Sequence, residues 1–134
     1  MPILEALYGG LEPAEGDKAP PVAGAQQRRD WLQSVLRRGF NFVAEQEGAL
    51  VAHLVLIRVG DSAEMTIFVP PDYRRRGIGT ALLRIAVDQA RDMGLRHVWV
   101  AVRPEDTPIR EGLVRFGFTV SRQTEDGVEL LLAL

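Results

Sequence analysis

The chain has 134 residues, of which 46% are hydrophobic, and this length and composition predict one globular domain rather than a disordered chain. Its 16 basic and 18 acidic residues give a net charge of -2, so the molecule as a whole offers no attraction to nucleic acid. It contains no cysteine, which excludes disulfides, thiolate metal sites and a cysteine nucleophile. The N-terminus lacks the layout of a signal peptide and no apolar run could span a bilayer, so we expect a cytoplasmic protein with no membrane partner.

The first third of the chain changes from an irregular segment to helix and then to strands. Residues 1–25 of the predicted single domain 1–134 are rich in Gly, Pro and Ala, which is typical of irregular structure. Apolar residues at helical spacing predict a helix over Gln26–Arg38. Short turns containing glycine then separate three predicted strands, Phe40–Glu45, Leu50–Val59 and Glu64–Val69.

The second half of the chain alternates helices and strands. A long helix with one apolar stripe is predicted over Gly79–Met93, and the strand Arg96–Val102 follows it. A shorter helix is predicted over Pro108–Arg115. The last two strands are predicted over Phe118–Gln123 and Val128–Leu134, with an Asp-Gly pair in the hairpin turn between them.

The order of these elements predicts the fold class. Three consecutive strands favour antiparallel pairing, whereas the strand–helix–strand unit over residues 64–102 favours a parallel pair with a right-handed crossover. We therefore expect an α/β (α+β) domain with a mixed, mainly antiparallel sheet that has one parallel strand pair and is flanked by helices. The very apolar final strand could pack inside this sheet or support a homodimer.

A basic loop with two glycines leads from the third predicted strand into the long helix, and its residues 74–80 read Arg-Arg-Arg-Gly-Ile-Gly-Thr. The first turn of a helix has backbone N–H groups without internal partners, glycines allow a ligand to approach the backbone, and arginines bind phosphate oxygens. The segment therefore predicts a phosphate or pyrophosphate site. Leu82 occupies the place of the third glycine of a dinucleotide-binding motif, and no Gly-Lys-Ser/Thr of a P-loop occurs. A solvated loop whose glycines serve only the turn is the alternative interpretation.

The same loop resembles the Arg/Gln-x-x-Gly-x-Gly/Ala signature of the GNAT N-acetyltransferases. The Val-Pro-x-x-Tyr sequence before it and Ala-Leu-Leu after it also resemble that family, as does the later segment Arg115-Phe116-Gly117-Phe118. The resemblance covers residues 42–120. It implies a GNAT-like fold, acetyl-CoA as cosubstrate, and transfer of the acetyl group to a primary amine by direct attack in a ternary complex, the acceptor being a small molecule or a protein lysine.

The resemblance also implies which residues bind the cosubstrate. The backbone amides from Arg75 to Thr80 would hold the pyrophosphate, and the end of the preceding strand would pair with the pantetheine arm and present an N–H near Val69 to the acetyl carbonyl. Asp106 corresponds to an asparagine that is often found early in the third helix. The full predicted set is Phe68, Val69, Arg74, Arg75, Arg76, Gly77, Ile78, Gly79, Thr80 and Asp106.

The chain departs from the family pattern where many members carry a tyrosine that protonates the leaving thiolate, because Leu113 stands at that position. Glu105–Ile109 resembles the bacterial protein-lysine acetyltransferases, which lack this tyrosine and carry a glutamate at the start of the central strand. Glu64 matches that glutamate and is the predicted general base. The alternatives are a solvated glutamate at position 64 and, for the whole protein, a non-catalytic module that binds or senses acetyl-CoA.

The remaining polar and aromatic residues give weaker signals. His53 lies in a predicted strand and is expected to face outward, and His97 is expected to be structural. Trp31 and Trp99 are expected to be packing residues. No His, Asp or Glu cluster has the spacing of metal ligands, so no metal is predicted, and the scattered basic residues favour no nucleic-acid partner.

Overall fold

A computed structural model describes Leu7, residues 25–74 and residues 76–134. The predicted irregular segment over residues 1–25 therefore falls almost entirely outside the described residues, as does Arg75 of the basic loop. Within the described part, none of the helices is long and apolar enough to cross a membrane.

The described elements follow the predicted order, with boundaries that differ by at most two residues from those predicted. They are α1 (Ala25–Arg38), β1 (Phe40–Gln46), β2 (Ala49–Val59), β3 (Ser62–Phe68), α2 (Ile78–Asp92), β4 (His97–Val102), α3 (Thr107–Phe116), β5 (Thr119–Thr124) and β6 (Gly127–Ala133). A single 3-10 turn, Pro71–Tyr73, lies between β3 and α2.

The strands form one mixed sheet in the order β1-β2-β3-β4-β6-β5. All neighbouring pairs are antiparallel except β3 and β4, which are parallel and connected by α2. This arrangement confirms the predicted mixed sheet with one parallel pair. The apolar last strand, β6, lies inside the sheet between β4 and β5.

The parallel pair separates partway along its length. Its ladder joins Ser62 to His97, Ala63 to Val98 and Glu64 to Trp99, and it stops there although β3 runs on to Phe68 and β4 to Val102. The two strands therefore enclose a gap between residues 65–68 of β3 and residues 100–102 of β4, which we call the wedge. Glu64 and Trp99 lie at its closed end.

The sheet has two unlike faces. On the helix face, buried apolar side chains from four strands pack with those of α2 and α3. They are Ala52, Leu54, Leu56, Ala63, Met65, Val98, Val100, Val102, Val128, Leu130 and Leu132 from the strands, with Leu82, Leu83, Ala86, Val87, Ala90 and Leu113 from the helices.

The opposite face of the sheet is called the open face below. Successive side chains of a strand point alternately to the helix face and to the open face. Over β3, β4 and β6 it carries Glu64, Thr66, Trp99, Ala101, Glu129 and Leu131, all half-buried except Ala101, which is exposed. Helix α1 packs on the β1–β2 end of this face, where Leu32 contacts Phe68 and Leu7 in a small separate cluster. The helices thus seal one face and leave the neighbourhood of the wedge accessible on the other.

The prediction that His53 faces outward was wrong. His53 is 0% exposed, because β2 is an inner strand with α1 on one face and α2 on the other. Its Nε2 lies 2.8 Å from Asn41 Oδ1, while Asn41 Nδ2 donates to the carbonyls of Val35 and Gly39. Since Asn41 uses its nitrogen for those bonds, its oxygen accepts from His53, and the network assigns the imidazole proton to Nε2.

This buried histidine links helix α1 to the hairpin. Trp31 packs edge-on against its ring at a centroid distance of 6.3 Å, which agrees with the packing role expected for Trp31. Burial lowers the pKa of His53 to about 4, because desolvation disfavours the imidazolium. The ring is therefore neutral at physiological pH.

Candidate functional site

The N-terminus of α2 presents free backbone donors. The first bond of this helix runs from the Ala81 N–H to the Gly77 carbonyl at 3.0 Å, so the N–H groups of Ile78, Gly79 and Thr80 have no partner within the helix. No acidic side chain lies in the first turn to neutralise the positive end of the helix dipole. The described part of the basic loop therefore ends in a local geometry that suits an anion.

The two glycines of the loop, Gly77 and Gly79, differ in backbone conformation and in the space around them. Gly77 has φ of 80°, a left-handed conformation that strains other residues. At Gly79, an added methyl group would meet the Ile67 and Val69 side chains at 3.8 Å, which is ordinary contact. The fold itself thus has room for alanine at position 79, and this space opens toward the cavity described next.

A cavity of about 690 Å³ extends from this helix end along the groove between α2 and α3. Its lining comes from the end of β3, the basic loop and one side of each helix, and includes Ile67, Val69, Pro71, Tyr73, Arg74, Gly77, Gly79, Thr80, Leu83, Pro108, Ile109, Glu111, Gly112, Leu113 and Arg115. Such a volume accommodates an extended organic ligand with an anionic group at the helix end.

The arginines of the loop have distinct positions. Arg74 donates from Nε to the Val69 carbonyl at 2.8 Å, which fastens the loop to the residue that follows β3. Arg76 is exposed, with its guanidinium 5.4 Å from the centre of the Tyr73 ring. Arg74 thus has a structural bond in addition to its predicted role.

A second cavity of about 160 Å³ occupies the wedge. Residues of β3 and β4 form its walls, and Arg74 and the start of α3 line it beyond the carboxyl ends of these two parallel strands. The lining comprises Glu64, Met65, Thr66, Ile67, Phe68, Val69, Arg74, Trp99, Val100, Ala101, Val102, Arg103, Asp106 and Ile109. Since Ile67, Val69, Arg74 and Ile109 line both cavities, the wedge adjoins the groove between the helices.

Asp106 lies in the wedge cavity but is already occupied by an intramolecular partner. Its Oδ2 accepts from Nη2 of Arg103 at 2.7 Å and from Nε at 3.0 Å, and both side chains are mostly buried. The pair fixes the start of α3 against the end of β4. Asp106 is therefore well placed to shape the cavity, and its carboxylate is compensated by the guanidinium.

Most of the predicted residues line the two adjoining cavities, but Arg76 and Ile78 line neither, and Arg75 lies outside the described residues. Glu64 lies at the closed end of the wedge, Phe68 lines the wedge alone, and Val69 lines both cavities. Leu113 is 2% exposed and lines the larger cavity. Missed lining residues include Pro108, Gly112 and Arg115, whose spacing of three and four residues along α3 could have indicated a common helix side.

The structure brings together no group of three or more metal-ligating residues within the described ranges, Leu7, 25–74 and 76–134. The candidate site therefore consists of backbone donors, arginines, a glutamate and apolar walls.

The sequence pattern of the acetyltransferase (GNAT) family matches residues 4–118. Over 106 residues, 72% of this chain and 72% of the relative, the sequence is 33% identical to the ribosomal protein bS18 alanine N-acetyltransferase of Escherichia coli. It is 38% identical over 96 residues, 66% of this chain and 42% of the relative, to an uncharacterized N-acetyltransferase of Methanocaldococcus jannaschii.

Solved structures have the same fold. A ribosomal-protein-alanine N-acetyltransferase from Brucella melitensis superposes with a TM-score of 0.78 at 20% identity, covering 99% of this chain and 93% of that chain. The PaiA N-acetyltransferase of Thermoplasma acidophilum, solved in complex with coenzyme A, superposes with a TM-score of 0.70 at 14% identity, covering 98% of this chain and 86% of that chain.

Proposed function

We propose that this chain, which belongs to the acetyltransferase (GNAT) family and is an acetyl-CoA-dependent N-acetyltransferase, transfers the acetyl group to a primary amine by direct attack in a ternary complex. One observation carries the proposal. A helix N-terminus with free N–H groups lies at the mouth of a groove that adjoins the wedge, and the wedge contains a glutamate. One end of this arrangement suits a pyrophosphate and the other end suits an acyl transfer.

The cosubstrate would lie along the two adjoining cavities. The pyrophosphate would accept bonds from the amides of Ile78, Gly79 and Thr80, where the helix dipole favours negative charge. The pantetheine arm would then run past Val69 into the wedge, and the acetyl carbonyl oxygen would accept a hydrogen bond from the backbone N–H near Val69. Arg115 adds positive charge along the groove.

Glu64 is the proposed general base. It lies where β3 and β4 separate, its side chain is half-buried on the open face, and it lines the wedge cavity. Four residues of strand separate it from Phe68, or about 13 Å between Cα atoms. The Glu64 side chain would cover part of this distance, and intervening water would carry the proton from the acceptor amine to the carboxylate over the rest.

The proposed reaction balances as follows. An ammonium acceptor gives one proton to the base, and the lone pair of the resulting amine attacks the thioester carbonyl carbon. The nitrogen of the tetrahedral intermediate loses its second proton to water, and the intermediate collapses with cleavage of the C–S bond, which releases the acetamide and the CoA thiolate. Because a thiol has a pKa of about 8.5, the thiolate can leave and take its proton from water, without a side-chain acid at the buried Leu113 position.

The proposed acceptor is a primary amine on a protein or on a small molecule. Relatives with the same fold are named for the alanine of a ribosomal protein, which supports a protein amine. The half-buried open face beside Glu64 leaves room for an extended peptide end to approach the wedge.

Calorimetric titration of acetyl-CoA tests the cosubstrate site. Gly79→Glu should abolish micromolar binding because it places bulk and negative charge at the helix end, whereas Gly79→Ala is the matched control for fold and should weaken binding less. Both variants should give the wild-type thermal unfolding temperature within a few degrees. Unchanged binding by Gly79→Glu would remove the pyrophosphate assignment.

Turnover then distinguishes an enzyme from a sensor. Release of the CoA thiol would be followed with an alanine-initiated peptide, an N-acetylated lysine peptide and spermidine. Thiol release above the background of acetyl-CoA hydrolysis is the expected result. Tight binding of acetyl-CoA without turnover of any amine would contradict transfer and favour the non-catalytic alternative, which Leu113 in place of tyrosine motivated.

A further inference from the structure

A second glutamate occupies the open face on the other side of the wedge. Glu129 in β6 pairs directly with Ala101 in β4, and the side chains of such cross-strand partners lie on the same face about 5 Å apart. Ala101 is exposed and lines the wedge cavity. Glu129 does not itself line that cavity, and on this face the small methyl group of Ala101 stands between the half-buried Glu129 and the wedge.

The positions of the two glutamates are related through Trp99. Glu64 pairs with Trp99, Trp99 pairs with Leu131, and Leu131 lies two residues beyond Glu129 in β6. Two strand spacings and two residues separate the Cα atoms of the glutamates by about 12 Å. The half-buried Trp99, which lines the wedge beside Glu64, lies between the strands that carry the two glutamates.

One cation, Arg122, stands directly opposite Glu129, and it forms no ion pair with the Glu129 carboxylate within the described residues. Across from it in β5, Arg122 is its register partner, and on its own face β4 and the segment after it carry His97 and Arg103. Arg103 is engaged by Asp106. Among the residues that the structure describes, the Glu129 carboxylate takes part in neither an ion pair nor a hydrogen bond, while the Glu129 backbone carbonyl accepts a hydrogen bond from Ser121 Oγ at 3.2 Å.

We propose that Glu129 is a second carboxylate of the acceptor site, which binds the ammonium group of the incoming amine and shares its deprotonation with Glu64. This inference rests on the proposed acetyl transfer. An ammonium group has three N–H donors and can bond to two carboxylates or their bound water at once. The proton that leaves the amine goes to one of these carboxylates, and the neutral amine then attacks the thioester as described above. Trp99 contacts the cation or its alkyl stem from below.

Glu129 also accounts for the direction of approach. Its position across β4 from Glu64 places negative charge on both sides of Trp99, on the face left uncovered by α2 and α3. A positively charged amine that approaches the wedge from this face is thereby favoured over a neutral or anionic acceptor.

The experiment compares Glu129→Gln with the control Glu125→Gln in the exposed β5–β6 turn. Initial rates with the best acceptor of the panel named above would be measured from pH 7 to pH 9.5. For Glu129→Gln, we expect kcat/KM for the acceptor to fall about tenfold to hundredfold at pH 7, which is less than the loss expected on removing a general base that acts alone. The KM for acetyl-CoA should be unchanged. The deficit should shrink toward high pH, where a neutral α-amine needs neither charge pairing nor a base.

A transposed carboxylate gives the sharper test. The double variant Ala101→Glu with Glu129→Ala moves the negative charge from β6 to its cross-strand partner on the same face. It should recover at least a third of the activity that Glu129→Ala loses, which a merely structural role of Glu129 would not predict.

Each outcome has one meaning. Turnover with an unchanged acceptor kcat/KM in Glu129→Gln would overturn the inference and leave the proposed function intact. A deficit that is the same at every pH and is not recovered by transposition would also overturn it. Absence of turnover with every amine in the wild type would overturn the proposed function, and the inference with it.

Discussion

The two faces of the sheet differ in what their side chains do. On the helix face, strand residues such as Leu130, at 0% exposure, pack against α2 and α3 in one continuous core. On the open face, the neighbouring residues Glu129 and Leu131 are half-buried, and two glutamates flank Trp99. Both faces come from the same strands, so their contrast arises from strand alternation and from where the helices lie.

This contrast indicates that the helix face provides most of the stability of the domain, while the open face carries the polar groups beside the wedge. The helix face buries enough apolar surface to hold the domain together, because large aliphatic side chains leave water there. The open face can therefore retain carboxylates beside a cavity, although such charges would be costly if they were fully buried without partners. The following predictions test this division from its largest expected effect to its smallest.

Truncation of two adjacent leucines in β6 should show how much each face of the sheet contributes to stability. Leu130→Ala should lower the free energy of unfolding by about 2–5 kcal/mol, since it leaves a cavity in the closed core. Leu131→Ala, one residue away on the half-buried open face, should cost about 1 kcal/mol. Urea unfolding at pH 7 measures both values, and equal losses would contradict the division.

Protonation of His53, which lies beneath α1, should lower the free energy of unfolding. Its pKa is lowered to about 4 in the folded state from an ordinary value of 6.5, so the unfolded chain binds the proton more readily. The stability contributed by the neutral ring is complete above pH 6.5, declines as the pH falls, and is lost by about pH 4. One pKa unit corresponds to about 1.4 kcal/mol, so the total loss is about 3 kcal/mol.

His53→Gln isolates this contribution, with His97→Gln as a control because His97 is half-exposed. The difference in unfolding free energy between wild type and His53→Gln should shrink by about 2 kcal/mol between pH 7 and pH 5, while other ionisations cancel in the difference. A difference that stays constant over this range would show that His53 does not titrate as its burial requires.

Neutralising Asp106 should have the smallest effect. Asp106→Asn keeps an oxygen acceptor for Arg103 but removes the negative charge of a mostly buried pair. We expect a loss of about 1 kcal/mol in unfolding free energy and less than a threefold change in acetyl-CoA affinity. The same denaturation and calorimetric measurements apply, and a loss of cosubstrate binding larger than that of Gly79→Ala would assign Asp106 a direct binding role.

Much of the fold could be predicted because its signals are local. The apolar stripe of α2, the alternation in the strands and the Asp-Gly turn between β5 and β6 depend on residues close together in sequence, and their predicted boundaries agree with the structure. The helix N-terminus of the candidate site was also predictable, since its donors and glycines lie within one short segment, residues 74–80.

Other features depended on contacts that sequence spacing does not reveal. His53 was expected outside because an isolated strand has two accessible faces, but both faces of β2 are covered in the sheet. The bond from Arg103 to the Asp106 carboxylate depends on how the start of α3 packs against the end of β4, and Asp106 as a cosubstrate ligand stays a prediction. The relation of Glu129 to Ala101 exists only through the pairing of β4 with β6.

The sequence by itself determined the strand and helix order, the mixed sheet and the glycine-containing basic loop at the start of α2, because these follow from periodicity and from backbone chemistry within short segments. Tertiary structure decided how far β3 and β4 remain paired, which faces the helices cover and which carboxylates flank the wedge. Those properties depend on register and packing between strands that are distant in the chain, and a residue's own neighbours in sequence do not specify them.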